Sequence, residues 1–93
     1  MRKLSWEDYL KAPERYRLVD VRDPAEARAE PVEDAILMPL ERIANKAYDL
    51  PRDRPLALLC KGGQKSSLAA LYLEADGFEA YVIEGGLKAR PGA

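Results

Sequence analysis

The sequence predicts an α/β fold: a small three-layer sandwich, with a mostly parallel sheet of four to five strands and helices on both faces. Three observations carry that expectation. Short apolar runs of strand length alternate along the chain with segments of helical periodicity. The run Leu56-Ala57-Leu58-Leu59 lacks polar alternation, which suits a central strand covered on both sides. The strand-like Leu18-Val19-Asp20-Val21 passes into a helix start with almost no loop between them. At 93 residues the chain has the size of one compact domain, so residues 1–93 are expected to form a single unit.

The elements follow in order. Ser5 is placed to cap a first helix with Asp8 at its third position, Leu4 can staple to Tyr9, and Trp6, Tyr9 and Leu10 share a face. Tyr16 to Val21 reads as a strand. Asp23, Pro24 and Glu26 then occupy the cap, first and third positions of a second helix. Ala35-Ile36-Leu37-Met38 is a short apolar run broken by Pro39. From there Leu40, Ile43, Ala44, Ala47 and Tyr48 fall on one helical stripe that Pro51 closes. After the Leu56–Leu59 strand, the segment from Ser67 to Asp76 is apolar almost all round and predicts a mostly buried helix, ended by Gly77 with Phe78 folding back on Leu73. Tyr81-Val82-Ile83 makes the last strand, before Gly85-Gly86.

Composition removes several functional classes. A net charge of −1 provides no field to gather nucleic acid or anionic lipid, so neither is expected as a partner. One cysteine excludes an internal disulfide. The absence of histidine excludes a cysteine and histidine zinc site and the usual base of a catalytic triad, so no metal and no cofactor are expected. The N-terminal MRKLSWEDYLKAP carries acidic residues early, and no apolar stretch approaches a membrane span, from which a cytoplasmic location is expected.

What remains is the turn Cys60-Lys61-Gly62-Gly63-Gln64-Lys65-Ser66, at the carboxyl end of the central strand, where ligands of open parallel sheets bind. Gly62 and Gly63 permit the positive φ angles that let successive N–H groups face one point, and the following helix adds its own unpaired N–H groups. Such a cup prefers an anion. A thiol inside it ionises more readily, and Lys61 and Lys65 reinforce the effect. Singly, each feature has an ordinary explanation: the cysteine as inert packing, the lysines as solvated surface. Together they serve one geometry, and the spacing does not match a Walker-type phosphate loop.

At these residues the chain resembles the single-domain rhodanese sulfurtransferases, whose loop typically reads C-x-x-G-x-R-[ST]; Cys60, Gly63 and Ser66 match, and Lys65 stands where arginine is usual. Leu18-Val19-Asp20-Val21-Arg22 with Glu26 looks like the family's "DVR" strand with its downstream acidic residue. Ala35 and Pro39 fit its G-A-x-N-I-P segment, and Val82-Ile83-Glu84-Gly85-Gly86 its closing strand. Glu30, Pro31, Asp34 and Leu37 depart from the pattern, and no tryptophan follows Gly85-Gly86. The resemblance implies a rhodanese-like fold and transfer of a sulfane sulfur through a Cys60 persulfide, its charge held by the N–H groups of residues 61 to 65. It implies a small sulfur-donor anion as partner, and a protein thiol or sulfur carrier as acceptor. Asp20 and Arg22 are expected either to support the loop from behind or simply to pair at the strand end. Lysine is a mobile point charge and arginine a planar fork, so thiosulfate is expected to be a mediocre donor.

Three alternatives are of other kinds. Cysteine phosphatases need five residues between cysteine and arginine, and here the cation comes one residue early, which disfavours phosphate. A non-turnover persulfide carrier needs the same cysteine without catalysis, whereas a partner-binding rhodanese module does not need it, so the intact Cys60 argues against that reading. A redox-sensing thiol needs an external resolving thiol, because the chain has no second cysteine.

Overall fold

A computed structural model describes residues 1–92 and shows a five-stranded, wholly parallel sheet. The strands are β1 (Arg2–Leu4), β2 (Arg17–Asp20), β3 (Ile36–Leu37), β4 (Leu56–Leu59) and β5 (Ala80–Ile83), in the spatial order β1-β5-β4-β2-β3. Four helices connect them: α1 (Trp6–Lys11), α2 (Pro24–Ala29), α3 (Leu40–Lys46) and α4 (Gln64–Ala75). Short 3₁₀ turns cover Pro13–Arg15, Ala47–Asp49 and Gly86–Ala89.

All four residues of β4 are fully buried, and their side chains alternate between two cores. Leu56 and Leu58 join Val19, Ile43, Ala69, Ala70, Leu73 and Val82 on the side covered by α3 and α4. Ala57 and Leu59 join Leu4, Trp6, Tyr9, Leu18, Ile83 and Leu87 on the side covered by α1 and the last 3₁₀ turn. Helices therefore lie on both faces, and the three-layer expectation holds. Among the described residues, no helix is long and apolar enough to cross a membrane.

Local signals place the helix ends. The Asp8 amide donates to Ser5 Oγ at 3.0 Å, capping α1. At α2 the Asp23 amide donates to Glu26 Oε1 at 3.4 Å. Gly77, at φ 86°, ends α4, where the Phe78 amide donates to the Leu73 carbonyl at 3.0 Å and the Gly77 amide to that of Glu74 at 3.0 Å, the paired bonds of a glycine-capped terminus.

The structure corrects several expectations. β1 has no sequence signal: Arg2 and Lys3 are exposed and Leu4 alone is buried, so the strand exists only through its pairing with β5. Leu10 is 51% exposed and does not share the core with Trp6 and Tyr9. α3 ends at Lys46 and the chain continues at three residues per turn, which swings Tyr48 off the buried stripe to 73% exposure; Ala44 is exposed as well. α4 begins at Gln64 instead of Ser67 and buries one stripe only, Ser66, Ala69, Ala70 and Leu73, leaving Leu68, Leu71 and Tyr72 exposed. A single helix laid on a sheet has an outer side, and no other element covers this one fully.

Candidate active site

The parallel order brings the carboxyl ends of β2, β4 and β5 side by side, and each contributes to one cluster. From β4 comes Cys60. The next three residues turn the chain, with Gly63 at φ 98° serving as the N-terminal cap of α4. Gly63 alone uses the left-handed conformation, whereas Gly62 does not. This turn aims two amides at one atom: Gly63 N lies 3.0 Å and Ser66 N 3.4 Å from Cys60 Sγ. Of these two, Gly63 falls within the 61 to 65 stretch whose N–H groups were expected to hold a persulfide's charge, and Ser66 lies just beyond it. The Ser67 hydroxyl donates to the Gly63 carbonyl at 2.9 Å and fastens the first turn.

Cys60 is only 2% exposed and packs against the core on the α3 and α4 side. It also borders a cavity of about 200 Å³ together with Arg22, Glu26, Lys61, Gly62, Gln64 and Lys65. The sulfur therefore sits at the bottom of a recess. Lys61, Gly62 and Gln64 are exposed around it, and Ser66 is fully buried with its hydroxyl lacking a hydrogen-bond partner among the described residues.

β2 ends at Asp20, and Arg22 follows two residues later. They form a buried pair: Arg22 Nη2 lies 2.8 Å from Asp20 Oδ2 and Nε 3.0 Å from Oδ1, and the Arg22 amide donates to Oδ1 at 3.0 Å. The hydrogen bond that Arg22 donates to Asp20 raises the guanidinium above its ordinary range, so it stays charged despite burial. The same guanidinium donates to the carbonyls of Glu30 at 2.7 Å and Glu26 at 3.3 Å, tying the end of α2 to the sheet. A cation at carbonyls left open by a helix end satisfies both partners.

α2 in turn reaches the loop. Lys65 Nζ lies 3.3 Å from Asp23 Oδ1 and 3.5 Å from Glu26 Oε1. Burial works against the Lys65 ammonium, but the hydrogen bond and charge of Asp23, reinforced by Glu26, outweigh it and hold the group above the usual lysine range.

β5 leads into the support beneath the loop. The amides of Leu87 and Lys88 donate to the carbonyls of Cys60 at 2.9 Å and Lys61 at 3.0 Å. Gly86, at φ 60°, lies so close that a Cβ there would stand 2.4 Å from the Cys60 carbonyl oxygen. From the far end of the sequence, Trp6 Nε1 donates to the Gly86 carbonyl at 2.8 Å. Sequence reasoning read Asp23 and Glu26 as helix-start residues and Trp6 as core, so these site roles were missed. The charge complementarity of Lys65 with Asp23 and Glu26 was a visible signal for the first pair; nothing in the sequence announces the Trp6 contact.

A rhodanese-like domain model matches residues 5–90. The chain belongs to the rhodanese-like family. Several of its relatives carry sulfurtransferase names. It is 35% identical over 72 residues to the thiosulfate sulfurtransferase GlpE of Pseudomonas syringae pv. syringae, covering 76% of this chain and 68% of that one. It is 34% identical over 61 residues to a sulfurtransferase of Allochromatium vinosum, a match covering 66% of this chain and 57% of the relative's length. Among solved structures, the rhodanese homolog TT1651 of Thermus thermophilus is 46% identical, with a TM-score of 0.78 over 96% of this chain and 100% of that one. A rhodanese-related protein of Thermoplasma volcanium superposes with a TM-score of 0.91 at 27% identity, over 97% of this rhodanese-like chain and 90% of its own.

Proposed function

We propose that this rhodanese-like domain is an enzyme that moves a sulfane sulfur from a donor to a nucleophilic acceptor through a persulfide on Cys60. One observation carries the reading: Cys60 Sγ accepts two main-chain N–H groups while bordering a cavity. Fixed amide dipoles aimed at a sulfur favour negative charge as it develops there during transfer, with no proton-accepting partner required, which suits a chain that has no histidine.

In the first step the Cys60 thiolate attacks the outer sulfur of the donor. With thiosulfate, the new S–S bond forms as the donor's S–S bond breaks, and the bonding pair leaves on sulfite. The terminal persulfide sulfur then carries the negative charge. In the second step an acceptor such as cyanide attacks that sulfur, the Cys60 to outer sulfur bond breaks, and the thiolate is regenerated as thiocyanate leaves. This is covalent catalysis in which one cysteine serves first as nucleophile and then as leaving group. A protein thiol or sulfur carrier fits the acceptor's role better than cyanide, since the loop faces solvent through Lys61, Gly62 and Gln64.

Intact mass after incubation with a sulfur donor is the test. The protein should gain one sulfur atom, Cys60→Ser should gain none, and cyanide should release the sulfur as thiocyanate over many turnovers. A gain without repeated turnover would replace the enzyme by a persulfide carrier. No gain from any donor would remove the sulfur-transfer reading.

A further inference from the structure

Two of the three cationic residues at the recess are already engaged. Arg22 is held by Asp20 and by two carbonyls of the α2 end. Lys65, at the position following the loop where a donor's anionic end would need a grip, is shared between Asp23 and Glu26 at 3.3 and 3.5 Å. Of the cationic residues bordering the cavity, only Lys61 has no carboxylate partner among the described residues. Glu26 itself borders the cavity, so an acidic residue lines the space that an anionic donor would occupy. A dianion such as thiosulfate therefore meets a charge-balanced mouth, where a two-point cationic clamp would be needed to offset its desolvation.

We propose, resting on the persulfide chemistry above, that Asp23 and Glu26 are specificity-determining residues that turn the site away from dianionic donors and toward organic persulfides carrying at most one charge at the reacting sulfurs. The exchange balances without any further reagent. The Cys60 thiolate attacks the outer sulfur of R–S–SH, the donor's S–S bond breaks, and R–S⁻ leaves; the outer sulfur and its proton are now on Cys60, and the proton passes to the departing thiolate or to water. The residue R meets Gly62 and Gln64 at the rim and needs no cation.

Asp23→Asn, Glu26→Gln and the double variant test this, and both substitutions keep the helix start intact. Asparagine caps as well as aspartate, and glutamine serves the third position as glutamate does. Two readouts are compared with wild type at low salt. The first is independent of sulfur transfer: the ratio of Cys60 alkylation rates by iodoacetate, an anion, and iodoacetamide, which is neutral but otherwise similar. The second is the ratio of kcat/KM for thiosulfate to that for the persulfide of 2-mercaptoethanol. Removing two negative charges should raise the iodoacetate ratio about threefold in the double variant. Coulomb energy scales with ligand charge, and thiosulfate exceeds the persulfide by one to two charges, so the donor ratio should rise by about threefold to tenfold, and both gains should shrink at high salt. Lys65→Met, which leaves the carboxylates unopposed, should move both ratios the other way. An iodoacetate ratio within twofold of wild type in the double variant overturns the proposal, as does an unchanged donor ratio while both donors load Cys60. A shifted alkylation ratio with neither donor loading upholds the charge discrimination and rejects sulfur transfer instead.

Discussion

Gly86→Ala probes how firmly the Cys60 loop is held from below. An added Cβ would stand 2.4 Å from the Cys60 carbonyl oxygen and 2.6 Å from that of Lys61, both backbone atoms with no flexible side chain to yield. Restoring van der Waals separation requires the loop and the last turn to part by about 1 Å. That separation breaks the bonds from Leu87 N to Cys60 O and from Lys88 N to Lys61 O, now 2.9 and 3.0 Å. Each contributes about 0.5–1.5 kcal/mol. Alanine at φ 60° adds a left-handed penalty of about 1–2 kcal/mol. The sum is about 3 kcal/mol, and for a domain of this size each kcal/mol lowers Tm by roughly 4–8 °C. Thermal unfolding should therefore shift down by about 12–24 °C. Sulfur loading of Cys60 at a temperature where the variant is folded should fall on the order of 100-fold, because a displacement of that size spoils attack geometry. Gly62→Ala is the matched control: nothing lies within 4 Å of its Cβ and its φ is not positive, so stability should stay within about 0.5 kcal/mol. A Gly86→Ala protein melting within about 3 °C of wild type, or loading sulfur at the wild-type rate, would refute this account of the loop, whose premise is the loss of ~3 kcal/mol.

Further expectations concern groups around the same centre and one at the opposite end of the sheet. Arg22→Met strands the 3%-exposed Asp20 without its partner and should destabilise by about 3–5 kcal/mol in urea titration; a loss below ~1 kcal/mol would mean that Asp20 finds other compensation. Ser66→Ala removes a buried hydroxyl that has no partner among the described residues, so Tm should hold or rise; a fall in persulfide formation without a fall in Tm would place that hydroxyl on the added sulfur. The Arg17 and Asp53 pair gives a pH dependence. The hydrogen bond from Arg17 holds the Asp53 carboxyl below its usual range, so its contribution is complete above the unfolded carboxylate value near ~4 and disappears as pH falls through the lower folded value. The pair is exposed and the effect small, so Asp53→Asn should melt a degree or two below wild type near neutrality, with the gap closing in strong acid; a gap that persists there contradicts the assignment.

The sequence disclosed the α/β order because its strongest local signals agree with the fold: the Ser5 and Asp23 helix starts, the unalternating β4 and the Gly77 stop all reappear in place. The Cys60 turn was legible for the same reason, since a glycine between a buried strand and a helix dictates where amides point. What escaped was whatever depends on partners distant in sequence. β1 consists of two charged residues and a leucine, and only β5 makes it a strand. The exposed outer side of α4 could not be told from a buried one, because apolar character all round a helix reports no direction. The engagement of Lys65 by Asp23 and Glu26 required knowing that α2 returns to the mouth of the loop, a fact set by Arg22 gripping the carbonyls at the α2 end.

The indole of Trp6 and the carbonyl of Gly86 meet across 80 positions of sequence. A growing polypeptide that has emerged only as far as β5 already possesses Cys60 and the turn around it, but not the amides of Leu87 and Lys88 that anchor that turn. The anchoring of that turn therefore waits for the segment that follows β5.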